Sequence, residues 1–173
     1  SAGGNSPYSI TSAMPNGSFE NAIMAPWQDV NPSGVFYDSE GEVIYETNEG
    51  NIHYGVYGSA PNRVFVVRWE ENPMYGAGPG SGCNDLFSSN IYLFETTNKI
   101  ETHILEKPAT CDWNGTAAVH GIIDADATNY LIVDDPILNE PRNYPLVWEA
   151  SNDAWQFAPG SNGSYSTNQI TYG

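Results

Sequence analysis

With 173 residues, the chain is long enough for one domain with a hydrophobic core and too short for two comfortable ones. Twenty-one acidic residues against five basic ones give a formal charge of -16, which argues against nucleic acid and anionic membrane surfaces as partners and reads either as a solubilising acidic surface or as one suited to a cation, calcium first. Seventeen Gly, twelve Pro and 13% aromatic residues suit short strands and turns rather than helices, so the expected class is all-β.

The opening "SAGGNSPYSI" has neither the charged nor the apolar region of a signal peptide, and no stretch nears the roughly 20 apolar residues of a membrane-spanning helix. The chain is expected to be a mature product or one domain of something longer. A strand is expected near Tyr8 to Ala13, then loops punctuated by "MPNGS" and "VNPSG". The first hairpin joins "NIHYGVYG" (51–58) to "RVFVVRWE" (63–70) across the turn-rich "GSAPN". A long glycine-rich loop follows, "ENPMYGAGPGSGCNDLFSSN" (71–90), of the kind that is usually functional or specially pinned.

The next hairpin, "LFETTNKIETHIL" (93–105), concentrates Glu95, Glu101 and His103, with Glu106 just beyond. A three-residue loop ending on a left-handed Asn98 is expected, with Glu95 opposite Lys99. That register gathers Tyr92, Phe94, Ile100 and Ile104 on an apolar face and sets Glu101 and His103 beside Glu95 on the other. The cluster then reads as a charged sheet surface rather than an active site. Beyond it, "AAVHGIID" (117–124) reads as a buried strand and "YLIV" (130–133) as a short one. "DDPILNEPRNYP" (134–145), with three prolines, is expected to be an exposed connection. "LVWEASNDAWQFAPG" (146–160) is read as a short strand, a turn at "ASND" and a last strand. Residues 161–173 form a polar tail outside a single domain over 1–160: a linker, a loose edge strand or an arm for a neighbour.

Cys83 and Cys111 lack the spacing of a zinc site and read as one disulfide, which places the chain outside the cytoplasm. Asp124, Asp126, Thr128 and Asp135 occupy the first, third, fifth and twelfth positions of a calcium-loop spacing, with Asp134 or Asp112 available to help. Asn129 stands where such a loop has Gly, and the alternative is a solvated acidic turn before an edge strand. Flat aromatic faces suit sugar rings. Most of Trp27, Trp69, Trp113, Trp148 and Trp155 are expected in the core, leaving Trp113, Asn114 and Tyr75 as the candidate ligand-binding residues. There is no H-E-x-x-H, no G-x-S-x-G and no phosphate loop, and His53, His103 and His120 are scattered through predicted strands. No catalytic residues are assigned.

Taken in order, "NAIMAPWQDVNP", "PNRVFVV", "LFETTNKIE", "KPATCDWNG" and "ASNDAWQFAP" resemble a module of large type IX-secreted surface proteins of Bacteroidota, those associated with gliding motility or adhesion. The resemblance spans about 21–160. It implies an extracellular, antiparallel β-sandwich of jelly-roll-like form without established catalytic residues, and supports pairing Cys83 with Cys111. The acidic "GIIDADATNYLIVDD" and Gln156 depart from the pattern, so nothing about the acidic segment carries over. The expected function is a non-catalytic structural or adhesive module of the cell surface, secreted or surface-bound, facing a glycan, a protein or copies of itself. Two other classes stay open. One is a calcium-dependent carbohydrate-binding module, and the other is a filament subunit joined by strand addition through the tail or the N-terminal arm.

Overall fold

Runs of β-branched and aromatic residues broken by Gly, Pro and Asn turns build eleven strands and no helix among the residues that a computed structural model describes: 12–15, 20–38, 40–46, 51–76, 83, 85–109 and 117–172. They are β1 (Ala22–Trp27), β2 (Val35–Tyr37), β3 (Val43–Glu46), β4 (Asn51–Tyr57), β5 (Val64–Pro73), β6 (Leu86–Phe94), β7 (Ile100–Lys107), β8 (Val119–Ile123), β9 (Tyr130–Ile132), β10 (Ala150–Pro159) and β11 (Tyr165–Ile170). All pairings are antiparallel. A six-stranded sheet runs β11-β10-β7-β6-β5-β4, a three-stranded one runs β1-β8-β9, and β2 pairs with β3. The result is sandwich-like. The consecutive meander from β4 to β7 and the unequal sheets differ from the double Greek key of a jelly roll, the form expected from the resemblance.

The two larger sheets meet over Ile104, Ala118 and Trp148 on one side and Val133, Trp155 and Phe157 on the other, with Ile100, Ile122 and Leu131 packed against them. The far side of the small sheet is covered in turn, by Met14 and Tyr144 over Met24, Val119 and Ile123. Gly121, in the central strand β8, has no room for a side chain: a Cβ there would press into the Leu131 carbonyl oxygen and the Ile132 side chain. Gly121→Ala is therefore expected to destabilise the domain by about 1–3 kcal/mol, read as a lower urea midpoint with an unchanged slope.

Several expectations are corrected. β1, β2 and β3 lie where only loops were read, and residues 12 and 13, the described end of the strand expected near Tyr8, are not in a strand. Between β6 and β7, Leu93 pairs with Ile100 and Tyr92 with Glu101, so Glu95 opposes neither Lys99 nor Ile100. Four residues, Glu95 to Asn98, make the turn, with Thr96 at φ 46° and Asn98 at φ 50°. The shift of one residue exchanges the faces of one strand relative to the other. Tyr92 and Phe94 now share a side with Glu101 and His103, while Ile91 and Leu93 join Ile100 and Ile104. Glu95 leaves that set and takes Arg63, accepting from its backbone N–H and from Nε at 3.1 and 2.9 Å. The Arg63 side-chain and backbone hydrogen bonds hold its carboxyl down at about 2.

"ASND" is no turn. It opens β10, which runs unbroken from Ala150 to Pro159, with Asn152 at φ 50° absorbed in the strand. The polar tail completes its own sheet: Tyr165 to Ile170 pair with Pro159 to Ala154, making β11 the edge strand of the six.

Candidate functional site

On β7, Thr102 hydrogen-bonds His120 of the small sheet, so its neighbours Glu101 and His103 point the opposite way, out from the sandwich. Strand pairing arranges this outer face in rows. Tyr57, Val64 and Phe94 lie across β4, β5 and β6; Gly55, Val66, Tyr92, Glu101 and Gln156 form the next row; His53, Arg68, Asn90 and His103 form the third. β4 and β6 are two strand spacings apart, roughly 9–10 Å. Short valines on the strand between them therefore leave a trough walled by aromatic rings. The groove has a volume of about 820 Å3, within the usual range for ligand sites, about 300–1,000 Å3.

The ionic groups of the groove are paired with one another. Arg68 donates to Glu70 at 2.6 Å, and His53 lies 3.6 Å from the other oxygen of Glu70. Glu101 accepts from Gln156 Nε2 at 2.8 Å and sits 3.3 Å from His103 Nε2. A carboxylate can only accept, so the proton of a neutral His103 is on Nε2 and Nδ1 carries a bare lone pair. That Nδ1 is buried and has no hydrogen-bond partner among the described residues, in a residue only 7% exposed. The His103 ring contacts Tyr92 at 4.8 Å and Tyr172 at 5.6 Å between centroids. Burial, the first cause, and the nearby Tyr172 hydroxyl raise the pKa of Tyr92, keeping its phenol protonated.

Behind the groove lies a second cluster, closed to solvent. Arg142 donates from Nε to Asp135 at 3.0 Å and from Nη1 to Asp153, and the same Nη1 lies 3.3 Å from His120 Nδ1. Because arginine only donates, His120 accepts at Nδ1 and its Nε2–H donates to Thr102 at 2.8 Å. Burial, and after it the Arg142 charge, lowers the His120 pKa to about 3, so the ring is neutral. The Arg142 guanidinium also sits 4.3 Å from the Trp148 ring centroid, and Lys107 Nζ sits 4.6 Å from it. Burial opposes ionisation of Asp135 and Asp153, but hydrogen bonds outweigh it and leave both carboxyls below their ordinary value. Asp135 receives them from Leu138, Arg142 and Ile137, Asp153 from Arg142, Gln169 and Trp155. This cluster fixes β7, β8 and β10 against one another and leaves no opening for a ligand.

Of the residues expected to bind calcium, Asp124 and Thr128 are hydrogen-bonded to one another, and Asp135 is tied to Arg142 instead. Asp124 closes the turn between β8 and β9, accepting from Thr128 N at 3.0 Å and Asn129 Nδ2 at 2.6 Å. Those bonds, Asn129 first, lower its pKa. Asp126 and Thr128 are exposed, and Asp135 lies beyond β9 with both oxygens committed to Arg142, Ile137 and Leu138. No group of three His, Cys, Asp or Glu side chains placed to hold a metal occurs among the described residues. The connection 134–145 is exposed over most of its length, as expected, but Asp135 and Arg142 are buried within it. Of the candidate ligand-binding residues, Tyr75 is exposed at the end of β5, and Trp113 and Asn114 lie outside the described residues. Cys83 is buried beside Phe36, Met74 and Phe87, and there is no free cysteine among the described residues; Cys111 lies outside them.

The outer-face groove was not read from the sequence. Its one signal was the pair Glu101 and His103, which a correct register would have joined to Tyr92 and Asn90. A family model described as "NIDO related" matches residues 3–167. The chain belongs to this NIDO-related family. A NIDO-related domain is a module of extracellular proteins, the placement that the phrase-level resemblance also implied; the match says nothing of type IX secretion or gliding. Among the described residues of this NIDO-related domain no helix is long and apolar enough to cross a membrane. Comparison with curated proteins and with solved structures gave no match.

Proposed function

We propose that this NIDO-related domain is a non-catalytic, adhesive module of an extracellular surface protein, and that it engages its partner through the groove on the outer face of the six-stranded sheet. The observation that carries the reading is the trough itself: Tyr57, Tyr92 and Phe94 face one another across short valines, with polar side chains massed at one end. Exposed aromatic anchors in a concavity are what concentrates binding energy in recognition surfaces. Against chemistry, Glu101 and His103 are engaged with each other and with Gln156, which suits holding a surface together. The same reading pairs Cys83 with Cys111 as a disulfide, in keeping with an oxidising exterior. It also takes the chain as one module of a large, type IX-secreted protein, supported by the ordered phrases and not by the family match.

The test is retention of protein-coated beads on surfaces bearing a cell-surface polysaccharide fraction or a cell-surface protein fraction. Tyr57→Ala and Tyr92→Ala should each cut retention on the preferred surface about tenfold or more, the scale of a truncated aromatic anchor. Tyr37→Ala, which removes an equally exposed ring on β2, should leave it unchanged. Retention indifferent to both groove variants sinks the assignment.

A further inference from the structure

We infer that the groove takes an uncharged oligosaccharide, one sugar ring lying between Tyr57 and the Phe94–Tyr92 wall with its hydroxyls toward Asn90, Glu101 and His103. The inference rests on the adhesive reading above and gives its ligand a chemical class.

Four features of the groove converge. Its apolar end is ring-lined. Tyr57 is 66% exposed, and its ring lies over Gly55, two positions back on the same face, where a Cβ would stand 3.6 Å from it. The C–H faces of a pyranose stack on such rings. Its polar end offers an amide, a carboxylate and an imidazole within two rows of one sheet, the mixture of donors and acceptors that neighbouring hydroxyls satisfy.

The third feature is the His103 ring, which lines the groove between Tyr92 and Tyr172 and adds to its aromatic wall. The fourth is charge. Arg68 is neutralised by Glu70, Glu101 carries a negative charge, and the whole chain stands at -16. Sulfated or uronic polymers would be repelled from this face, so the sugar is an uncharged one.

The experiment is an array of uncharged, sulfated and uronic oligosaccharides probed with wild type, Tyr57→Ala, His103→Leu and Tyr37→Ala, with thermal melts of all four. Expected is a signal on uncharged oligosaccharides at least about tenfold above that on the anionic ones, insensitive to roughly 0.5 M salt. Tyr57→Ala and His103→Leu should each lower it about tenfold or more, and Tyr37→Ala should not. Should His103→Leu fail to fold, exposed Tyr57 still carries the test. No signal on uncharged oligosaccharides, an equal signal on anionic ones, or a signal that survives Tyr57→Ala overturns the inference. A silent array beside bead retention that still depends on Tyr57 removes the sugar and keeps the groove. Bead retention that ignores Tyr57 removes the groove as well.

Discussion

Arg142→Met is expected to destabilise the domain by about 3–5 kcal/mol at neutral pH, as an urea-denaturation midpoint far below that of wild type, because it strips the cation from two buried carboxylates. Arg142 is 2% exposed, and Asp135 and Asp153 are 3% and 7% exposed, so water cannot replace the lost partner. The guanidinium serves two acids, a histidine nitrogen and a tryptophan face from one planar group. Lysine has no such fork, and Arg142→Lys should recover only a minor part of the loss. The pH dependence has a definite sign. In wild type both carboxyls titrate below their unfolded values, so their contribution is present above the ordinary carboxylate pKa and is lost as pH falls through the folded values. Without Arg142 burial dominates and the carboxyls prefer to be neutral. The gap between variant and wild type should therefore narrow in acid, below about pH 4. A variant within about 1 kcal/mol of wild type at pH 7 would show that the cluster is not what holds these strands together.

Lys107 gives the second large effect, in the opposite pH range. It is fully buried, with Nζ donating to the carbonyl oxygens of Trp148 at 2.6 Å and Pro108 at 3.2 Å. Burial first, and then repulsion from Arg142, lowers its pKa from 10.5 to about 7. Below pH 7 the folded and unfolded states both hold the proton, and the cost of the buried charge is fully present. Between about pH 7 and 10.5 the unfolded chain keeps a proton that the folded one has released, so stability rises with pH. Over that range the gain is on the order of 3–5 kcal/mol. The amine still donates to both carbonyls once neutral, so the bonds survive the change. Lys107→Met should abolish the rise. Equal slopes for variant and wild type in denaturant titrations at a series of alkaline pH values would refute the assignment.

What could be read along the chain was whatever depends on neighbours in sequence. The hairpin of β4 and β5 was legible because both runs are dense in strand-forming residues and the turn between them holds Gly, Pro and Asn. Strands β8 and β9 were legible for the same reason, from "AAVHGII" and "YLI". β1, β2 and β3 were not, since six residues with a proline and two runs of three or four carry no periodicity of their own. They become strands only because β8 and each other offer ladders.

The function-bearing parts escaped because they depend on register and on distant pairs. At β6 and β7 a four-residue turn replaced an expected three, and that single residue moved Tyr92 and Phe94 from the expected apolar face of the hairpin to the wall of the groove. Arg142 looked like surface charge in a proline-rich connection, since its partners stand 7 and 11 positions away and one of them belongs to another strand. Composition alone determined an all-β, acidic domain, because strand propensity and net charge are properties of the linear chain. The tertiary structure alone decided which carboxylates are buried, which are spent on turns and which line the groove. Burial and pairing are set by what packs from across the sandwich, and no local stretch encodes that.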